Sequence, residues 1–141
     1  MSIEEFKKIA YEIKKLGEEV FKNLGSGFNE TIFHNALGIE LRRNKIEYLS
    51  EVNIEIFYKG ESVGADRPDF IVTKIKGFSK PIILELKVAD NISNDNRIQL
   101  KSYCTSVPFN HNPVLNEFAG GIILTWPKND IEDPVKVITK T

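Results

Sequence analysis

Apolar positions at the start of the chain recur at helical spacing. Ile3, Phe6, Ile9, Ile13, Leu16, Val20 and Leu24 follow one another at steps of three or four, which predicts an amphipathic helix over 3–24. Ser2 ahead of Glu5 offers a capping box, and Gly25-Ser26-Gly27 supplies a stop. A second helix is predicted from about Asn29 to Arg43, with Ile32, Ala36, Leu37, Glu40 and Leu41 along one mostly apolar stripe. Arg42, Arg43 and Lys45 then form a basic end that complements the helix dipole. A phosphate contact is the alternative reading of that cluster.

The period then changes from helical to alternating. Val52, Ile54, Ile56 and Tyr58 alternate with Glu51, Asn53 and Glu55, the pattern of a half-buried strand. Lys59-Gly60-Glu61-Ser62 reads as a turn into a further strand around Val63. Phe70-Ile71-Val72, continuing to Lys76, and Ile82–Val88 are two more strands, separated by the turn Gly77-Phe78-Ser79-Lys80-Pro81. Ser93-Asn94-Asp95 is a helix start, and the helix it opens runs to about Ser106 with Leu100, Cys104 and Val107 on one side. Pro108 to Asn116 reads as irregular. Phe118–Trp126 is a buried strand ended by Pro127, and Val135–Ile138 a last edge strand. The order of elements predicts an α/β fold, a mixed sheet with helices packed on it. With 141 residues and neither a repeat nor a linker, one domain over 1–141 is expected.

The strand Pro81-Ile-Ile-Leu-Glu-Leu-Lys-Val88 breaks its own pattern. Residues two apart share a face, so Glu85 and Lys87 project together while Leu84, Leu86 and Val88 project the other way. A solvent-facing ion pair is one explanation. However, Ile83 lies on the same face as the two charges, which puts them at the edge of a core, where a charge needs a partner. Upstream, Arg67-Pro68-Asp69 directly precedes an apolar run. Pro fits a strand start, but Asp is a poor strand former. Asp69 and Glu85 are 16 residues apart with a turn centred on Gly77 between them. If the two strands pair as a hairpin, both carboxylates reach one point near one end of the sheet. Two convergent carboxylates suit a hard divalent cation such as Mg²⁺. A lysine beside them suits phosphodiester hydrolysis, because it can orient or deprotonate water or stabilise the crowded phosphorus.

Composition narrows the setting. The net charge is −1, which neither demands nor forbids a nucleic-acid partner. No apolar run exceeds three residues, so a membrane span is not expected. The one cysteine, Cys104, cannot form an internal disulfide, consistent with a cytoplasmic, reducing compartment. Two histidines, His34 and His111, are too few for a zinc site. Nucleotide-binding glycine loops are absent from the sequence.

Pro68-Asp69 followed by Glu85-Leu86-Lys87 resembles the PD-(D/E)XK signature of a large nuclease superfamily. Gly27-Phe28-Asn29-Glu30-Thr31-Ile32-Phe33 resembles the motif of its GxxExxY branch, with Phe33 where that motif has Tyr. Gln99-Leu-Lys-Ser-Tyr103 resembles the QxxxY motif of RecB-like nucleases. The order Glu helix, Asp strand, ExK strand and Gln helix matches the superfamily core, and the resemblance covers roughly Leu24 to Leu124. It implies a restriction-endonuclease-like core, with a mixed central sheet of about four to five strands flanked by helices. It also implies an Mg²⁺- or Mn²⁺-dependent nuclease acting on DNA. In that scheme Asp69 and Glu85 hold the metal with the backbone carbonyl of Leu86, Glu30 ligates or orients it, and Lys87 is the catalytic lysine. Gln99 and Tyr103 are auxiliary. The residues leave open a non-catalytic nucleic-acid-binding or protein-interaction module of the same fold, and a homodimer or protein partner.

Overall fold

The structure is a computed structural model and describes residues 2–115, 117–129 and 135–140. Asn116, where the predicted irregular stretch ends, lies outside the described residues. Helix α1 runs Ile3–Leu24, and the Ser2 hydroxyl accepts the Glu5 N–H at its start. Helix α2 runs Glu30–Arg43 and is capped by the Asn29 side chain, which accepts the Ile32 N–H. Between them Gly27 sits at φ 99°, a left-handed conformation that a side chain would strain. Strands β1 (Glu47–Leu49), β2 (Ile54–Tyr58), β3 (Glu61–Asp66), β4 (Phe70–Lys74) and β5 (Ile82–Val88) follow. Helix α3 (Asn94–Ser106), two short 3₁₀ turns, and strands β6 (Gly120–Trp126) and β7 (Lys136–Lys140) complete the order. Ser93 and Asn96 form a reciprocal capping box at the start of α3.

Five strands form one sheet in the order β1-β4-β5-β6-β7. β5 and β6 run parallel, and the other neighbours are antiparallel. The predicted α/β class and strand count are therefore met, but with a different membership. β1 has no apolar periodicity in the sequence, yet it pairs with β4 through Tyr48 and Val72. Strands β2 and β3 instead form a separate two-stranded sheet. Their Lys59-Gly60 turn has both residues at positive φ, as a tight hairpin requires. A two-stranded sheet needs a further surface to bury its apolar side. Ile54 packs beneath α3 with Ile71 and Tyr103, and Asn110 brackets Glu55 by accepting its N–H and donating to its carbonyl.

The sheet separates two cores. On one face α1 and α2 cover Ile82, Leu84, Leu86, Ile122, Leu124 and Trp126. On the other, α3 covers Ile71, Ile83 and Ile123. The buried stripe of α2 is Phe33, Leu37, Gly38 and Leu41. Ile32, predicted to lie in it, is exposed. Trp126 fixes that rotation: Phe33 stacks on its indole at 4.9 Å and 15°. The indole N–H in turn donates to the Gly17 carbonyl at 3.0 Å. The basic end of α2 has a structural use, because Arg42 donates to the Tyr48 hydroxyl and ties the helix to β1.

Candidate active site

Strands β4 and β5 pair through Phe70–Leu84, Ile71–Ile83 and Val72–Ile82. One step past the last pair, at the end away from the turn, stand Asp69 and Glu85. The backbone and side chains there interlock. The Asp69 N–H donates to Glu85 Oε1 at 3.0 Å, and the Leu86 N–H donates to Asp69 Oδ2 at 2.8 Å. Each carboxylate thus spends one oxygen on the neighbouring strand and leaves the other, Asp69 Oδ1 or Glu85 Oε2, for a ligand. The hairpin predicted from the 16-residue spacing is what brings them together.

Their protonation reflects crowding. Burial, followed by the facing charge of Asp69, pushes the Glu85 carboxyl up to about 8. Asp69 also rises, chiefly through burial. The Leu86 N–H opposes that rise, as do the nearby His34 and Lys87, while Glu30 adds to it. Lys87 is half-buried on the same face as Glu85 and close enough to act on both acids electrostatically. It makes no ion pair within 4.0 Å among the described residues.

The other predicted residues are spread around this pair. Glu30, in the first turn of α2, reaches β5 beyond the acids and accepts the Val88 N–H at 3.2 Å. Gln99 donates to Asp66 at the end of β3, at 3.4 Å, rather than to Asp69 or Glu85. Tyr103 is fully buried below Glu85, its hydroxyl without a partner among the described residues. Burial, reinforced by the Glu85 and Asp66 carboxylates, raises its pKa.

Three residues here escaped the sequence reading. His34 is one helical turn after Glu30, stacks on Phe70 at 4.3 Å, and brings Nε2 to 4.0 Å from Asp69 Oδ1. It lines both clefts that meet at Asp69, one shared with Glu30, Asn35 and Leu86, the other with Ser50, Glu51 and Arg67. The i, i+4 spacing from Glu30 was its only sequence signal. Asp66 gives Gln99 its partner, and a polar residue ending a strand carries no such mark. Thr125 on β6 is the register partner of Lys87, and its hydroxyl is buried without a partner among the described residues. A larger cavity of about 550 Å³ lies at the other end of the sheet, between α1 and the Ile75–Phe78 turn. It contains none of these residues.

Among the described residues no group of three or more Asp, Glu, His or Cys side chains forms a cation cage by itself. The donors present are nonetheless those that a hard cation takes. They are two carboxylate oxygens and the adjoining Leu86 carbonyl, with room for water, and Mg²⁺ commonly uses only one or two carboxylates. A divalent cation there would also offset the burial and the facing Asp69 charge that push the Glu85 carboxyl up. The residues fit the group.

No curated protein sequence matches the chain significantly. The crystal structure of SSO0001 shares the fold, with a TM-score of 0.52 and 21% identity over 77% of this chain and 48% of that one. This chain thus spans about half the length of that protein. The family model of the PD-(D/E)XK nuclease superfamily matches residues 7–119, a span holding every side chain placed around Asp69 and Glu85 except Thr125. The chain belongs to the PD-(D/E)XK nuclease superfamily.

Proposed function

We propose that this protein is a divalent-metal-dependent deoxyribonuclease of the GxxExxY branch. The observation that carries the reading is the interlock at the open end of the β4–β5 hairpin. It holds Asp69 and Glu85 face to face, with Lys87 beside them on the same side of the strand. In this reading Asp69, Glu85 and the Leu86 carbonyl hold Mg²⁺ or Mn²⁺, and Glu30 orients the site from α2. The bound cation supplies Lewis-acid activation of water and neutralises charge on the phosphate. The chain does the rest. The two strand N–H groups fix the carboxylates so that little rearrangement is needed when substrate arrives. Lys87 orients or deprotonates the attacking water and offsets charge that builds on the non-bridging oxygens. Gln99, through Asp66, and Tyr103 support the floor of the site.

Support for the GxxExxY assignment comes from Gly27, Glu30 and Phe33. Phe33 stands where the motif has Tyr, and its ring is fully buried against Trp126. In this chain that position serves packing. The lost hydroxyl would have needed a buried partner.

The test is cleavage of single- and double-stranded DNA, and of RNA, by wild-type protein with Mn²⁺ or Mg²⁺ and with EDTA. Metal-dependent cleavage of DNA that Lys87→Ala abolishes is the expected result. Binding without cleavage, indifferent to Lys87→Ala, would make the protein a binding module instead.

A further inference from the structure

The sheet carries one row of residues past the proposed centre that its chemistry does not use. Across β5, β6 and β7 the register runs Lys87, Thr125, Lys136. Register partners project to the same face, so Lys136 stands on the Lys87 side, two strand spacings away, ~10 Å. Beside it a cleft of about 440 Å³ opens at the β7 edge. Lys136, Lys14 from α1 and Arg97 from α3 line it, together with Asn91 and apolar residues. Its lining includes no carboxylate among the described residues. Three cations from three elements converge there in a chain whose net charge is −1.

The three cations are not equally committed. The Lys136 ammonium donates to the Asp90 carbonyl at 3.0 Å and to Asn91 Oδ1 at 3.1 Å. That clamps it to the loop leaving β5, yet one of its three donors remains. Arg97 and Lys14 make no side-chain hydrogen bond or ion pair among the described residues. A guanidinium and two ammonium groups gathered at one cleft are a recognition set for phosphate oxygens.

We propose that this cleft is a backbone-phosphate subsite for the nucleic-acid strand being cut, with Lys14, Arg97 and Lys136 holding a phosphate beyond the scissile one. The inference rests on the nuclease reading for its substrate class and adds where that substrate runs: from Lys87 toward the cleft at the β7 edge. A strand whose reacting phosphate sits at Lys87 still has phosphates within reach at ~10 Å. The subsite contributes binding common to ground and transition states, so its loss should raise KM and spare kcat.

The experiment measures binding of a short fluorescein-labelled DNA in EDTA, where no turnover occurs, across a range of salt. The proteins compared are wild type, Lys14→Gln with Arg97→Gln, and Lys8→Gln. Lys8 is exposed near the opposite end of the sheet, and its variant controls for lost charge. The double variant should bind roughly tenfold more weakly. Its salt dependence should be shallower by roughly one power per lost contact. Lys8→Gln should bind like wild type. With Mn²⁺, the double variant should show raised KM on DNA and unchanged turnover of bis(p-nitrophenyl) phosphate, a diester too small to span both places. Equal loss in Lys8→Gln, no loss in the double variant, or no DNA binding by wild type would each overturn the subsite. Failure of the nuclease reading looks different: DNA is bound, and the double variant weakens it, but neither substrate is cleaved.

Discussion

Strand β5 has two faces that share one backbone and obey different demands. Toward α1 and α2 it presents Ile82, Leu84 and Leu86, all at most 2% exposed and all apolar. Toward α3 it starts the same way, with Ile83 fully buried, and then turns to Glu85 and Lys87. Glu85 is only 4% exposed, which is close to the burial of Leu86 on the other side. Burial alone therefore does not separate the faces. Their tolerance of unfavourable groups does. The α1/α2 face gains stability from dense apolar packing. The α3 face gives up part of that gain in its last rows, holding a carboxyl that burial pushes up to about 8 and two hydroxyls without partners among the described residues. Such costs persist where a site needs them.

The sharpest way to break the comparison is to remove one residue from each face. Lys87→Ala should lower the DNA cleavage rate by about 10²–10⁴-fold while leaving the cation affinity, read by calorimetry, nearly intact. Asp69→Asn should weaken both cleavage and cation binding. A Lys87→Ala protein that still cleaves would mean that Lys87 takes no part in the chemistry. On the other face, Leu84→Ala should cost about 2–5 kcal/mol of stability through lost burial and a cavity. Chemical denaturation measures that loss, and the folded fraction should keep its cleavage rate. Were Leu84→Ala to lower catalysis at full folding, the two faces would not be separable.

What the sequence made legible divides along a similar line. The α1 stripe, the β4–β5 hairpin and the shared face of Glu85 and Lys87 were readable because helical and alternating periods are local. The approach of Asp69 to Glu85 needed only a turn between two apolar runs. β1 was not readable, because Glu47-Tyr48-Leu49 has no period and becomes a strand only by pairing with β4. β2 and β3 read correctly as a hairpin, but alternation does not say which sheet a hairpin joins. Asn110, 55 residues from Glu55, and the α3 core decide that. The α2 stripe was misplaced at Ile32 because stacking of Phe33 on Trp126, distant in sequence, sets the helix rotation. His34 looked like a stray histidine until Phe70 and Asp69 were placed beside it. Thr125 and Lys136 gain meaning only from the register across three strands.

The pH dependence of the metal-free protein sharpens the contrast at smaller amplitude. An acid whose folded pKa is raised binds more protons folded than unfolded, between its ordinary value and the raised one. For Glu85 that window runs from 4.5 to about 8, and Asp69 acts in the same direction. Its stability contribution is therefore full below 4.5 and is lost as pH rises through about 8. In EDTA the melting temperature should fall between pH 5 and pH 8, and saturating Mn²⁺ should flatten the fall. Glu85→Gln keeps an oxygen for the Asp69 N–H and removes the titration. It should stabilise the metal-free protein at pH 8 by something on the order of 2 kcal/mol and abolish cleavage. A melting temperature independent of pH in wild type would mean that Glu85 is solvated and the polar face carries no such cost.

The smallest effect is expected at Thr125, and it tests how far the polar face extends. Thr125 is the register partner of Lys87, is 1% exposed, and leaves its hydroxyl without a partner among the described residues. Thr125→Val keeps the shape and removes the buried polar atom. If the hydroxyl only fills space, its loss should stabilise the fold by about 1 kcal/mol and leave cleavage untouched. As part of the same row as Lys87, it should instead accept a hydrogen bond from the ammonium during turnover. The expected result is therefore a small rise in melting temperature together with a several-fold drop in cleavage rate. Thr125→Ser, which restores the hydroxyl with less packing, should recover most of the rate but none of the stability. A valine variant as active as wild type would move the border of the polar face back to Glu85 and Lys87 and assign Thr125 to the packing of Ile83 and Ile123.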